Sequence, residues 1–192
     1  IVGTFKSFYE NGRPKEEIQY SNGEQTGERV EYYENGNKKF SISKSNNPVG
    51  HLHSHYYDNG KLKSTEIYVS KYDRVGKWIQ YFPNGQMKSE CEFINKEFFV
   101  QNCWKEDGEQ IMKDGTGLYI NEYSIFDGVI DRNEQEYKNY KRHGKQYSYS
   151  NGKLTLYQEM AEGKEHGVTK SYDENGNARE EIIYENGKEI SK

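Results

Sequence analysis

Residues 76–85 read Gly-Lys-Trp-Ile-Gln-Tyr-Phe-Pro-Asn-Gly. A glycine opens the stretch, a strand-like run ending in two aromatics follows, and an Asn-Gly pair closes it. The same wording recurs along the chain. Asn-Gly pairs stand at Asn11-Gly12, Asn22-Gly23, Asn35-Gly36, Asn59-Gly60, Asn84-Gly85, Asn151-Gly152, Asn175-Gly176 and Asn186-Gly187. With 17 Asn and 19 Gly among 192 residues, chance supplies about 1.7 such pairs, so eight mark an internal repeat. Aromatics precede the turns at Phe8-Tyr9, Tyr32-Tyr33, Tyr56-Tyr57, Tyr81-Phe82 and Tyr149, and glycines open the strands at Gly3, Gly27, Gly50, Gly76, Gly144 and Gly167. The period is about 23 residues. Each unit reads as strand, tight turn, second strand, looser turn. Asn-Gly suits a type I′ turn, whose two central residues both need positive φ.

Second strands carry β-branched or aromatic residues near their ends, as at Ile18 and Tyr20, Ile67 and Tyr68, Phe93 and Ile94, and Ile183 and Tyr184. Charged residues fill the places between, which is the alternation of half-buried antiparallel strands. No segment has the caps and apolar spacing of a helix. Two regions depart from the pattern. Phe99 stands where an opening glycine belongs, and Trp104 takes the aromatic place before Asp107-Gly108. Residues 121–142 form an irregular stretch whose aromatics Tyr123, Phe126, Tyr137 and Tyr140 fall out of register. An inserted loop or a hairpin with altered turn chemistry is expected there.

The quoted stretch and its copies resemble the MORN repeat variant of bacterial proteins, many of them labelled antitoxins of the YwqK family. The resemblance spans residues 3–36, 50–108 and 144–187. It implies an elongated, single-layer, twisted antiparallel sheet built from consecutive β-hairpins, here a single array over residues 1–192. Physics agrees, because a lone hairpin is marginal in water and each unit must lean on its neighbours. Trp78 alone keeps the Trp of the pattern, and the irregular stretch breaks it.

Composition bounds the function. The chain holds 27 Lys and Arg against 31 Asp and Glu, a balance that disfavours nucleic acid and anionic membranes as main partners. Hydrophobic content is 32%, yet 18 Tyr and 8 Phe can carry a thin, tyrosine-rich core, since each buried ring removes roughly 150–250 Å² from water. No run approaches the roughly 20 apolar residues of a membrane-spanning helix. The chain opens Ile-Val-Gly, so its natural start is expected upstream; the cytoplasm is favoured, with a secreted or surface location as the alternative. Cys91 and Cys103 read as two small half-buried side chains, with a disulfide as the other reading.

Candidate chemistry is sparse. His51, His53 and His55 alternate on one strand face, about 7 Å apart, and two such histidines can share a zinc ion. No Cys or carboxylate of that stretch completes a site, so a polar outward face is the favoured reading. His143 and His166 precede opening glycines and belong to turns. Gly115-Thr116-Gly117 lacks the Lys-Ser/Thr ending of a phosphate loop, and no catalytic triad motif is present. No catalytic residue, metal or cofactor is expected. Tyr33, Tyr57 and Phe82 share one register, three places before their turn glycines. Such a row either holds the sheet together or presents contact area to a protein partner at low entropic cost. The leading expectation is a non-enzymatic protein-binding scaffold. The family resemblance makes its concrete form an antitoxin or immunity-type protein that holds a toxin along the sheet face. The alternatives are an adhesive surface protein, a lipid-associated module and an enzyme using the histidine strand.

Overall fold

The computed structural model describes residues 2–46, 48–124 and 130–191, and among them every regular element is a β-strand. The chain divides into two compact units, Ile1–Phe99 with Trp104–Glu109, and Val100–Cys103 with Gln110–Lys192. The first contains β1 (Gly3–Phe8), β2 (Pro14–Ser21), β3 (Glu24–Tyr32), β4 (Lys38–Asn46), β5 (Val49–Tyr56), β6 (Leu62–Tyr68), β7 (Arg74–Tyr81) and β8 (Met87–Ile94). Strand β9 (Glu97–Trp104) contributes residues to both. The second continues with β10 (Gln110–Lys113), β11 (Thr116–Ser124), β12 (Ile130–Lys138), β13 (Lys141–Ser150), β14 (Lys153–Ala161), β15 (Lys164–Tyr172), β16 (Ala178–Glu185) and β17 (Lys188–Ser191). From β1 to β8, and from β10 to β17, each strand pairs antiparallel with the next in sequence. The fold is all-β, made of consecutive hairpins, as the repeat implied.

The turns come in two kinds, which corrects the reading of all Asn-Gly pairs as type I′. At Asn22-Gly23, Asn151-Gly152 and Asn186-Gly187 both residues have positive φ, as type I′ requires. The same two-residue turn is built without Asn-Gly at Asn95-Lys96, Asp114-Gly115, Asn139-Tyr140 and Glu162-Gly163. At the other five pairs only the glycine is left-handed. There the chain makes a longer loop, in which Gly12 N–H donates to Tyr9 C=O and Tyr9 N–H donates to Arg13 C=O, each at 2.9 Å. This is a type I turn closed by a glycine bulge. In four of the five the Asn carboxamide accepts from the backbone two residues on, as in Arg13 N–H to Asn11 Oδ1 at 3.0 Å and Lys61 N–H to Asn59 Oδ1 at 3.0 Å; at Asn175-Gly176 the acceptor is Asp173, from Asn177 N–H at 2.8 Å. Asp107 does the same for Glu109 N–H.

These loops are tied to one another. Tyr9, Tyr33 and Tyr57 donate their hydroxyls to the carbonyls of Tyr32, Tyr56 and Tyr81, one repeat onward. The Asn carboxamides donate in parallel, Asn11 to Glu34 C=O, Asn35 to Asp58 C=O, Asn59 to Pro83 C=O and Asn84 to Glu106 C=O. Nearest-neighbour bonds of this kind supply the coupling that a repeat array needs. Phe82 has no hydroxyl to offer in the corresponding place. Tyr57→Phe should therefore lose about 1 kcal/mol of stability, and Phe82→Tyr should gain up to about 1 kcal/mol by reaching the Trp104 carbonyl. Urea unfolding followed by tryptophan fluorescence reads both, and a Phe82→Tyr protein less stable than the parent would refute the ladder.

Two of the opening glycines make room for a carboxylate. At Gly144 and Gly167, with φ +80° and +103°, a Cβ would strike the carboxylates of Glu136 and Glu159. Those carboxylates cross over the glycine and accept from the next backbone N–H, Lys145 N to Glu136 Oε2 at 2.7 Å and Val168 N to Glu159 Oε2 at 2.9 Å. The glycine makes room for an acidic cap. At Gly115 the neighbour is a ring: Tyr140 covers the glycine and donates its backbone N–H to the Gly115 carbonyl at 2.8 Å. Strands β11 and β12 pair in register from Gly117↔Tyr137 to Ser124↔Ile130, and β12 turns into β13 through Asn139-Tyr140. The described part of the irregular stretch contains a hairpin with altered turn chemistry, β12 to β13 through Asn139-Tyr140; residues 125–129, Phe126 among them, lie outside the described residues.

Among the described residues the buried apolar side chains are Val30, Cys91, Val100, Cys103, Met112, Tyr119 and Met160. Tyrosine is the exception among them, contrary to a tyrosine-rich core, because a large ring is hard to enclose without a second layer over the sheet. Most tyrosines lie half-buried instead, and Tyr72, Tyr123 and Tyr140 are exposed. Both cysteines are free and buried, and Cys103 Sγ lies 4.0 Å from Met112 Sδ.

Candidate interaction surface

Cross-strand partners share a sheet face, so the registers of the first unit sort its residues. One face carries Glu31, Phe40, His55, Ser64, Gln80 and Ser89 in one row, and Arg29, Ile42, His53 and Glu66 in the next. The other carries Glu17, Val30, Ser41, Ser54, Thr65, Ile79 and Glu90.

A β-bulge follows each long loop on the strand leaving it. Ser7↔Glu16 and Phe8↔Pro14 leave Lys15 without a partner residue; Phe40 and Lys38 bracket Lys39, Ser64 and Leu62 bracket Lys63, and Ser89 and Met87 bracket Lys88. Bulges re-aim side chains. Here they aim four lysines over four rings: Lys15 Nζ lies 5.7 Å from the Tyr9 centroid, Lys39 5.8 Å from Tyr33, Lys63 5.6 Å from Tyr57 and Lys88 5.8 Å from Phe82. Shallow clefts open between successive lysines. One of about 240 Å³ is lined by Tyr9, Lys15, Glu31 and Lys39, and one of about 370 Å³ by Tyr33, Lys39, Phe40, His55 and Lys63. In the first, Glu16 and Glu31 share the Arg29 guanidinium at 2.8 Å each.

Tyr33, Tyr57 and Phe82 thus have a double position. The two phenol hydroxyls are held by the next repeat, while the rings lie half-buried beneath the lysines. Burial pushes both phenols above their ordinary range, with Asp58 adding to the effect at Tyr33 and Glu106 at Tyr57. Sequence reasoning missed the lysines. Their signal is positional: Lys15, Lys39, Lys63 and Lys88 each stand three residues after a turn glycine.

Farther along this face the histidine strand meets charge. Glu66, 9% exposed, lies with Oε2 3.0 Å from Arg74 Nε and 3.1 Å from the Tyr68 hydroxyl that donates to it, and Oε1 3.7 Å from His55 Nε2. Burial opposes its charge, but His55, Arg74 and Tyr68 together hold its carboxyl below the usual range. Arg74 lies over the rings of Tyr68, Trp78 and Phe93 at 5.4, 5.5 and 5.7 Å. His53 is packed between Phe40 and Tyr68, with centroids at 5.5 and 4.5 Å. Its burial lowers its pKa, against the pull of Glu66. The carboxylate missing from the histidine stretch therefore comes from β6, where it is committed to Arg74 and Tyr68. Among the described residues no group of three His, Cys, Asp or Glu side chains is placed to hold a metal ion.

In the second unit the bulge places after the turns are taken by Thr155 and Arg179. Arg132 there joins Glu134 at 2.7 Å and Glu122 at 3.7 Å. Tyr157 donates to Glu159 at 2.7 Å, and burial together with that bond pushes its phenol far up.

A family model described as the MORN repeat variant matches residues 1–22, 25–43, 52–70, 74–95 and 165–188, more than half of the chain. No curated protein matches it. Repeats of this type form binding modules and are in general not enzymes.

Proposed function

Because the chain belongs to the MORN repeat variant family, we propose that it is a non-enzymatic scaffold binding a protein partner along the face of Tyr33, Tyr57 and Phe82. The row of bulge lysines over these rings carries the reading. The Tyr33 and Tyr57 rings, half-buried and held at the hydroxyl, are rigid, and rigid aromatic surface is what protein interfaces favour. The clefts are shallow and repeated, which suits an extended macromolecular surface better than an enclosed small molecule. In its most concrete form the protein is an antitoxin or immunity-type protein, with a toxin held along this face.

A photo-crosslinking phenylalanine analogue at position 82 tests the reading, with the same analogue at Lys77 on the opposite face as control. One discrete protein captured from position 82 and not from position 77 is the expected result. Capture of lipid alone, or equal capture from both positions, would overturn it. Co-expression with the captured protein then decides the antitoxin form, since relief of its toxicity is required.

A further inference from the structure

The lysines of the two faces of the first unit differ in their partners. On the face away from the clefts, Lys6, Lys38 and Lys77 pair with Glu17, Glu28 and Glu90 at 2.8, 3.3 and 2.6 Å. On the cleft face, Lys15, Lys39 and Lys63 are exposed, and no carboxylate among the described residues forms a salt bridge with them. The chain as a whole is acidic, with net charge −4. The row is therefore a local concentration of positive charge on an acidic molecule, and it is repeated at a fixed interval.

The interval is informative. Each repeat contributes two strands, and neighbouring strands are about 4.8 Å apart, so equivalent lysines recur about every 9.5 Å. A polyproline II segment rises about 3.1 Å per residue with three residues per turn, so every third side chain returns to one face after about 9.3 Å. A β-strand cannot match this, because residues three apart point to opposite faces. An α-helix cannot either, since about 9.5 Å is roughly six residues, which leaves the side chains well out of line. Between the lysines, Tyr9 contributes to the first cleft, and Tyr33 and Phe40 to the second. Aromatic-lined grooves are the surfaces that receive polyproline II chains.

Building on the protein-binding reading of this face, we propose that the partner presents an extended, acidic, proline-containing segment with a carboxylate at every third residue, seated on Lys15, Lys39 and Lys63. Its carboxylates meet the amines, and its intervening residues lie in the ring-floored clefts. Glu16 and Glu31 at the floor share the Arg29 guanidinium, which offsets one of their two charges and leaves the floor negative, so the attraction stays on the lysine crests. Basic segments are thereby disfavoured.

The test uses the full chain and a fluorescent peptide of four Glu-Pro-Pro triplets, read by anisotropy. The control peptide has the same composition with its glutamates in one block. The triplet peptide should bind roughly tenfold tighter than the block peptide, with an affinity that falls steeply as salt rises. The double variant Lys39→Gln and Lys63→Gln, at exposed positions and checked for folding by circular dichroism, should lose most of that affinity. Lys6→Gln with Lys38→Gln should keep it. Equal affinity for the two peptides, retention of binding in the Lys39 and Lys63 variant, or binding only to anionic lipid vesicles would each overturn the proposal. Should the peptide fail while position 82 still crosslinks a protein, the acidic polyproline identity falls and the protein-binding reading stands; failure of both removes that reading too.

Discussion

Replacing Gly167 with alanine is expected to destabilise the second unit by about 3 kcal/mol, from a strained backbone plus a displaced charged hydrogen-bond acceptor. Gly167 sits at φ +103°, where an L side chain is strained whatever the surroundings, and here the surroundings add to it. The Cβ would collide with Glu159, whose carboxylate accepts from Val168 N–H at 2.9 Å and from the Tyr157 hydroxyl at 2.7 Å. Those two bonds, the backbone one first, hold the Glu159 carboxyl below its usual range. Alanine must expel the carboxylate and strand both donors. Gly152 separates the two effects. It too has positive φ, +76°, but nothing lies within 4 Å of its would-be Cβ, so Gly152→Ala should lose only about 1–2 kcal/mol. Combining Gly167→Ala with Glu159→Ala should give less than the sum of the single losses, because the collision is then gone. Equal losses at Gly167 and Gly152 in urea unfolding followed by circular dichroism would show that the carboxylate is incidental.

That contrast shows what could be read from the sequence and what could not. The repeat was legible because Asn-Gly and paired aromatics recur at a fixed interval, and local chemistry of that kind acts within one hairpin. The two turn types were not legible from the Asn-Gly pair itself. Asn22-Gly23 and Asn35-Gly36 are the same dipeptide, yet only the first has both residues at positive φ. The second follows Tyr33, whose hydroxyl reaches the next repeat, and its Asn carboxamide also bonds one repeat onward. Contacts about 23 residues away thus accompany the longer loop, and a dipeptide carries no record of them. Opening glycines posed the same difficulty. Their recurrence was plain, but that Gly144 yields its space to Glu136 depends on a bulge that places Lys145 N–H over the carboxylate. The lysine row was written in the sequence at a constant offset from the turn glycines. It carries no meaning there by itself, because only the bulges place those lysines over the rings. The histidine strand was placed on one face correctly, while its carboxylate, Glu66, arrives from β6 and could be found only through the pairing of His53 with Glu66.

Removal of that carboxylate is the second large effect. Glu66→Ala should destabilise the first unit by about 2 kcal/mol, less than the loss expected for a fully buried pair because the Arg74 side chain is partly exposed. Without Glu66, Arg74 stays wedged against the rings of Tyr68, Trp78 and Phe93 with its carboxylate gone. The variant should also change the response to acid. Glu66 has a folded pKa below its unfolded value, so its contribution is present above about 4.3 and is lost as pH falls through the depressed folded value. His53 also has a lowered pKa, from burial first, with Glu66 pulling it up and His55 and His51 pushing it down. A histidine kept neutral by the fold contributes its full stability above about 6.5 and loses it as pH falls from there toward its folded pKa. Both slopes run the same way, so the parent weakens in two stages on acidification. In Glu66→Ala the lower stage disappears. The His53 pKa moves further down, because Glu66 is the group that raises it. Proton resonances of His53 followed through a pH titration measure this directly, beside unfolding midpoints read from tryptophan fluorescence. A His53 pKa that rises or holds still in the variant would mean that Glu66 does not act on this strand, and that the acidic response of the first unit has another source.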